Sequence, residues 1–165
     1  MGPLPPTGAR RLNGLQFVRG LVEGSLPLNT IARTLGYEVT EVSDGRVVVT
    51  AKPGEAHLNP AGTVHGGFAA TLLDSCMGLA VWSTLEKGLG QTTLEFKISL
   101  VRPITPETGV ISAEGVVLSR GRRVGSTAEG RSPTATAACS PTARPPARSS
   151  KADRVLRVKA TPGGG

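Results

Sequence analysis

Aromatic residues are scarce in this chain, and their positions argue against one class of binding protein. The 165 residues include three Phe, one Tyr and one Trp, and Phe96 is the only aromatic residue after Trp82. Single-stranded nucleic acids are bound largely by stacking their bases on aromatic rings. The second half of the sequence offers no such platform, so we do not expect nucleic-acid binding as the main function.

The net charge of +7 does not change that expectation, because the charge is unevenly distributed. Residues 1–130 contain 12 Lys or Arg and 11 Asp or Glu, whereas residues 131–165 contain seven Lys or Arg and one acidic residue, Asp153. The body of the chain is therefore nearly neutral. A basic tail of this kind can hold polyanions only loosely.

Long apolar runs, a cysteine framework and an apolar leader are also missing. The longest apolar stretch, around Met77 to Trp82, is far shorter than the about 20 residues that span a bilayer. The opening MGPLPPTGARRLNG has no apolar core, which predicts that it is no secretory signal. Cys76 and Cys139 have no metal-type spacing, and Cys76 is interpreted as a small core residue. We expect a cytoplasmic protein without membrane contact or a metal site.

The spacing of the apolar residues along the chain predicts an α+β domain. Apolar residues recur at helical spacing over residues 12–22, and Asp44–Gly45 between YEVTEV and RVVVTA predicts a hairpin. From Phe68 to about Leu85 the chain is apolar on nearly every face, which is typical of a buried helix. Further strands are predicted for TTLEFKISLV, GVISAEGVVLSR and RRVGSTAEGR. One antiparallel sheet wrapped around one long helix accounts for this order.

Three segments follow from the composition. Residues 1–33 are predicted to be an N-terminal helical segment and connector, residues 34–131 the domain itself, and residues 132–165 a basic tail. From Ser132 to Ser150 there is no Val, Ile, Leu or Phe, which predicts disorder, although RVLRVKA beyond it could form one short strand. The abrupt change after AEGR is typical either of a shifted reading frame in a GC-rich gene or of a natural tail.

The span HLNPAGTVHGGFAATLLDSCMGLAV, residues 57–81, carries the candidate chemistry. Gly66–Gly67 opens the buried helix with free N–H groups at the positive end of the helix dipole, where a developing oxyanion can bind. Asp74 follows eight residues later, about 12 Å along a helix, so both cannot contact one carbonyl. A carboxylate in an apolar helix is also costly without a partner. Two chains with adjacent helices resolve both difficulties, which predicts an active site at a dimer interface.

Each of these residues alone has a simpler interpretation. Asp74 in a helix would usually face solvent, His65 could bond to loop backbone, and Asn59 before Pro60 is a common turn. The combined pattern Asn-x5-His-Gly-Gly-x6-Asp at the entry to a buried helix is much more specific than any one member.

Three stretches together resemble the hotdog-fold thioesterases of the phenylacetate-degradation (PaaI-like) type. They are NPAGTVHGGFAATLLDSCMGLA, TTLEFKISLVRPI and AEGVVLSRGRRV. The resemblance covers about residues 12–130. It implies a hotdog fold, dimers that commonly pair into tetramers, and hydrolysis of acyl-CoA thioesters without a metal or redox cofactor.

The resemblance also implies roles for single residues. Asp74 matches the catalytic carboxylate, as nucleophile or general base, and Gly66 matches the glycine whose N–H polarises the thioester carbonyl. Asn59 and His65 match the polar pair that orients substrate and water or meets the leaving sulfur. Thr93 matches a hydroxyl that positions the water in some relatives, with Thr92 as the alternative.

The expected substrate contacts lie at two further places. Gly67 adds a second N–H at the helix start, and Arg120, Arg122 and Arg123 cluster at a predicted turn where forked guanidinium donors could bind the CoA phosphates. A solvated turn explains the arginines nearly as well. Two other functions remain open, a hotdog dehydratase or hydratase acting on acyl thioesters and a non-catalytic acyl-CoA-binding module.

Overall fold

A long central helix and an antiparallel sheet form most of the described structure. The computed structural model describes residues 11–93, 96–98, 100, 102–119 and 127–131. In chain order its main elements are α1 (Gly14–Val22), α2 (Thr30–Leu35), β1 (Tyr37–Ser43), β2 (Arg46–Ala51), α3 (Gly66–Ser83), β3 (Ile111–Ser119) and β4 (Thr127–Arg131). The strands of the described residues are all antiparallel and lie in the order β1-β2-β3-β4. This is the predicted α+β arrangement.

The predicted first helix is confirmed as α1, which begins at a close contact with the end of α3. Asn13 caps it by accepting a hydrogen bond from the Gln16 N–H at 2.9 Å, and the Gln16 side chain accepts from the Asn13 N–H at 3.1 Å. A Cβ on Gly14 would lie 1.7 Å from the Trp82 carbonyl oxygen. The absence of a side chain at Gly14 therefore lets α1 lie directly against α3.

The predicted hairpin is also confirmed, and its turn is anchored to α3. Asp44 and Gly45 connect β1 and β2, with Gly45 at φ 73°. The Gly45 N–H donates to Ser83 Oγ at 2.8 Å, and Ser83 Oγ donates to the Ala80 carbonyl at 2.7 Å. Since Ser83 is buried, this pair of hydrogen bonds fixes the hairpin relative to the end of the helix.

The helix α3 is largely buried, as its composition predicts, with ten of its 18 residues buried. The sheet packs on one side of it and α1 on another. Cys76, Met77 and Ala80 have no exposed surface. Burial raises the pKa of the Cys76 thiol to about 12, so this residue is a core residue, as expected, and stays protonated.

The structure differs from the sequence prediction over TTLEFKISLV. Its described residues, Thr92, Thr93, 96–98 and Leu100, lie in no strand. Ile98 packs against the core, whereas Phe96 and Leu100 are 36% and 55% exposed. Alternation identifies which residues share a face, but a strand also needs a neighbouring strand for its N–H and C=O groups. No strand among the described residues supplies one to this segment.

Other predictions cannot be compared with the structure. The turn at Arg120–Gly121 and the whole tail of residues 132–165, including RVLRVKA, lie outside the described residues. Within the described part of the chain, no helix combines the length and apolar character needed to cross a membrane.

The contact between β3 and α3 gives the first prediction. A Cβ on Gly115 would lie 2.4 Å from the Cys76 carbonyl oxygen and 2.6 Å from the Met77 nitrogen. Both atoms are helix backbone, so Gly115→Ala must push the sheet and helix apart. We expect a loss of about 1–3 kcal/mol in the free energy of unfolding, measured with urea. Gly54→Ala is the control, because nothing lies within 4 Å of a Cβ there. Equal stability of the two variants would contradict this packing.

Candidate active site

The loop before α3 is organised by the side chain of Asn59. Its Oδ1 accepts from the N–H groups of Ala61 at 2.9 Å and Thr63 at 3.2 Å, and its Nδ2 donates to Thr63 Oγ1 at 2.8 Å. Both acceptor positions of the amide oxygen are therefore in use within its own loop. This loop ends at the first turn of α3, so Asn59 supports the residues that begin the helix.

His65 is the N-cap of α3. Its Nδ1 accepts a hydrogen bond from the Gly67 N–H at 2.9 Å. A neutral ring that accepts at Nδ1 carries its proton on Nε2, and the side chain is exposed. A Cβ on Gly67 would lie 2.9 Å from Nδ1, so the second glycine makes room for the cap. The Nε2–H group of His65 has no acceptor among the residues that the structure describes.

Gly66 presents the free N–H group of this turn. Gly67 donates to His65 and Phe68 donates to the His65 carbonyl at 2.9 Å, whereas the Gly66 N–H has no acceptor among the described residues. Leu100 lies beside it, since a Cβ on Gly66 would be 2.6 Å from the Leu100 Cδ1 atom. The N–H at the positive end of the α3 dipole is therefore bordered by an exposed apolar side chain.

Asp74 lies two turns further along α3, half-buried, and contacts Thr93. The Thr93 hydroxyl donates to Asp74 Oδ1 at 2.7 Å, so Thr93 rather than Thr92 meets the carboxylate. Oδ2 has no donor among the described residues. The carboxylate therefore keeps a free oxygen that can take a proton or attack a carbonyl carbon.

Gln91 also contacts α3, one helical turn after Asp74. Its Nε2 donates to the Gly78 carbonyl at 3.0 Å, and Gly78 follows Asp74 by four residues. Alternate residues of an extended segment point the same way, so Gln91 and Thr93 both face α3. The Gln91 Oε1 atom is buried and has no donor among the described residues. These two side chains hold the segment 91–93 against the helix.

A cavity of about 630 Å³ lies between α3 and the N-terminal part of the chain. Asp74, Thr93 and Gln91 line one side of it, and residues from α1, the connector and α2 line the other. Its volume lies in the range of pockets that bind small organic molecules. The candidate carboxylate thus borders a space large enough for a substrate.

A chain of hydrogen bonds crosses the wall of this cavity. Ser75 Oγ donates to the Tyr37 hydroxyl at 2.9 Å, and that hydroxyl donates to Asn29 Oδ1 at 3.4 Å. Asn29 is also the N-cap of α2, where it accepts from the Ala32 N–H at 3.0 Å. The side chain that follows Asp74 is thereby tied to β1 and to the start of α2. Among the described residues, no three His, Cys, Asp or Glu side chains converge to hold a metal ion.

The predicted site residues fall into three groups. Asp74 and Thr93 meet at the cavity, and Asn59, His65, Gly66 and Gly67 form the turn at the start of α3, the same helix that carries Asp74. The third group is outside the described residues and comprises Arg120, Arg122 and Arg123.

Sequence reasoning missed Gln91, Tyr37 and Ser75. The alternation that places Thr93 toward α3 could have identified Gln91, two residues earlier. Nothing in the sequence signals the pairing of Ser75 with Tyr37, which are 38 residues apart.

Residues 61–128 match the model of the thioesterase superfamily. Human acyl-coenzyme A thioesterase 13 is 32% identical to this chain over 90 residues, which are 53% of this chain and 63% of that protein. The chain thus spans less than two thirds of this curated relative.

Solved structures show the same fold. The E. coli PaaI protein from the phenylacetic acid degradation operon has a TM-score of 0.65 at 20% identity, covering 92% of this chain and 96% of its own. Zebra fish thioesterase superfamily member 2 has a TM-score of 0.60 at 23% identity, covering 92% and 97%. The hotdog fold and the resemblance to PaaI-like thioesterases, both predicted from the sequence, are confirmed.

The cap at His65 gives the second prediction. His65→Ala removes the acceptor of the Gly67 N–H, and we expect it to lower the free energy of unfolding by about 1 kcal/mol. His65→Asn keeps a side-chain acceptor at the cap and should retain most of that stability. Urea unfolding of both variants tests this. An equal loss in the two variants would mean that the cap does not stabilise the helix.

Proposed function

Because residues 61–128 match the thioesterase superfamily, we propose that the protein hydrolyses acyl-CoA thioesters to a free acid and CoA. The proposed site is shared by two subunits. Asp74 of one subunit acts as general base or nucleophile, and the Gly66 N–H of the other polarises the thioester carbonyl. Dimers of this kind are proposed to pair into tetramers.

The position of Asp74 is the observation that carries this proposal. Its carboxylate borders the cavity and accepts a hydrogen bond from Thr93 at 2.7 Å. Its second oxygen has no donor among the described residues. Neither of the ion pairs found among the described residues involves Asp74. A carboxylate that is oriented but not neutralised is suited to accept a proton in a transition state.

The surface around Gly66 supports the sharing of the site. Gly66 and Asp74 are about 12 Å apart along one helix, so the two groups that one carbonyl needs cannot come from one chain. Leu100, which is 55% exposed, lies against Gly66, and Phe96 is 36% exposed. We propose that a second copy covers these apolar side chains, with its own Asp74 near Gly66.

The hydrolysis can follow two routes that use the same residues. As general base, Asp74 takes a proton from water, and the hydroxide attacks the carbonyl carbon. As nucleophile, an Asp74 oxygen attacks that carbon to form an anhydride, which water then hydrolyses. In both, the carbonyl oxygen becomes an oxyanion at the Gly66 N–H, the carbon–sulfur bond breaks, and the sulfur leaves as the CoA thiolate, which is protonated to the thiol.

The remaining residues are proposed to position the substrate. Asn59 holds the loop that presents Gly66, and the Nε2–H group of His65 is free to donate to the substrate or to the leaving sulfur. Thr93 orients the carboxylate and the water. The cluster of Arg120, Arg122 and Arg123 is proposed to bind the CoA phosphates.

The third prediction concerns Asp74. Asp74→Asn should lower kcat for acyl-CoA by about 100-fold or more, since a positioned acid–base group contributes that much, with little change in KM. Thiol release from a panel of aryl- and alkyl-CoA esters measures both constants. Glu86→Gln, at an exposed position after α3, is the matched control. Near-parental turnover by Asp74→Asn would exclude the carboxylate from the chemistry.

The same panel separates the other functions. Binding of acyl-CoA by the parent without thiol release would identify a binding module. Loss of the enoyl absorbance of crotonyl-CoA without thiol release would identify a hydratase.

The fourth prediction concerns sharing of the site. Asp74→Ala and Asn59→Ala chains should each be nearly inactive, because one lacks the carboxylate and the other the loop that presents Gly66. In a two-fold symmetric dimer each hybrid contains one intact site, so an equal mixture should regain roughly a quarter of the parental activity. Differently tagged chains and native mass spectrometry would establish that subunits exchange. Exchange without recovered activity would place both residues in the same subunit's site.

A further inference from the structure

The cavity beside Asp74 has a wall that the thioesterase superfamily match does not include. Phe17 and Leu21 of α1, and Leu26 and Leu28 of the connector, line the cavity opposite α3. All four precede residue 61, where the superfamily match begins. The N-terminal segment is therefore in contact with any molecule that occupies this space.

The cavity follows one face of α3. Thr71, Asp74, Gly78 and Trp82 lie on successive turns of the helix and all line it. From Asp74 to Trp82 the helix rises about 12 Å. An extended chain advances about 1.2 Å per bond, so this path holds roughly ten bonds. Thr71 is polar and Trp82 apolar, so the apolar end lies beyond the carboxylate.

Two aromatic rings border that apolar end. The ring of Phe17 packs against the indole of Trp82, with centroids 5.3 Å apart and the planes tilted by 35°. The contact of Gly14 with the Trp82 carbonyl holds the start of α1, and Phe17 lies about one turn later. Backbone packing thus positions the helix at Phe17, and the contact with Trp82 places its ring.

The chemistry of the lining selects an uncharged occupant. Asp74 and Arg33 are its only charged residues, and Arg33 is exposed to solvent. Ser75 and Tyr37 direct their hydroxyl protons along the hydrogen-bond chain to Asn29 and so offer none to an occupant. The rest of the lining is mainly aliphatic and aromatic, and would receive an apolar group much larger than acetyl.

We propose that this cavity receives the acyl group of the substrate and that Phe17, packed on Trp82, sets the longest acyl chain that fits, near ten carbons. The proposal rests on the proposed function, because it takes the thioester carbonyl to lie at Asp74. It assigns acyl specificity to the N-terminal helix and leaves the chemistry to α3 and the partner subunit.

Variants of Phe17 test the proposal in two measurements. The first is kcat/KM for straight-chain acyl-CoA esters from butanoyl to hexadecanoyl. The second is the Kd of S-alkyl-CoA thioethers of the same lengths by calorimetry, which requires no hydrolysis. Leu15→Ala is the matched control, because Leu15 is half-buried on the same helix but does not line the cavity.

Phe17→Ala should move the optimum of both profiles to longer chains. We expect kcat/KM for tetradecanoyl-CoA to rise roughly tenfold, since one or two methylene groups in an apolar pocket are worth that much. Phe17→Trp should move the optimum to shorter chains, and Leu15→Ala should leave it in place. If Phe17→Ala proves too unstable to assay, Phe17→Leu opens the same end with a smaller change in packing.

The outcomes separate this proposal from the proposed function. Hydrolysis with the same length profile in the parent and all Phe17 variants would overturn the role of Phe17 and leave the hydrolase intact. Thioether binding with a length limit that Phe17→Ala extends, but without hydrolysis of any ester, would support the acyl pocket and overturn the hydrolase. Thioether affinity that does not depend on chain length would also overturn the pocket.

Discussion

The close packing of α3 is the constraint from which the other features of the site follow. The sheet lies on one side of this helix and α1 on another, and ten of its 18 residues are buried. Asp74 is half-buried on the side that faces the cavity, where Thr93 donates a hydrogen bond to it. The same burial requires glycines where other backbone approaches, at Gly14 and Gly115. Polar chemistry and close packing thus share one helix.

The segment 91–93 has no strand partner among the described residues, yet its side chains hold it in place. Two alternate side chains reach the helix one turn apart, Gln91 to the Gly78 carbonyl and Thr93 to Asp74. Since a helical turn and a two-residue step of extended chain are similar in length, both contacts form without strain. The buried Oε1 atom of Gln91 has no donor among the described residues, and a buried acceptor without a donor costs about 1–3 kcal/mol. The position of the Thr93 side chain therefore depends on contacts that the alternation pattern alone does not reveal.

Features set by neighbouring residues were predictable from the sequence. Asp44–Gly45 between β-rich runs specifies its hairpin, and the uniformly apolar run after Phe68 specifies a buried helix. Helix geometry fixes the separation of Asp74 and Gly66, which led to the hypothesis of a shared site, and their roles stay predictions. The prediction of a strand at 92–101 failed for the described residues because strand formation needs a partner that periodicity does not identify. The sequence did not predict the roles of Phe17 and Tyr37 for the same reason, since these roles depend on contacts with distant residues.

The division between α1 and α3 has a consequence for how specificity could change. The groups proposed for chemistry lie on α3, its preceding loop and the segment 91–93, where a small displacement disturbs several contacts at once. Phe17 contacts Trp82 through apolar packing only, and a substitution there leaves the hydrogen bonds of Asp74 and His65 untouched. Apolar cores tolerate changes of size better than buried polar networks tolerate loss of a partner. A wall built from a separate helix therefore allows the volume of the cavity to change while the geometry around the carboxylate stays the same.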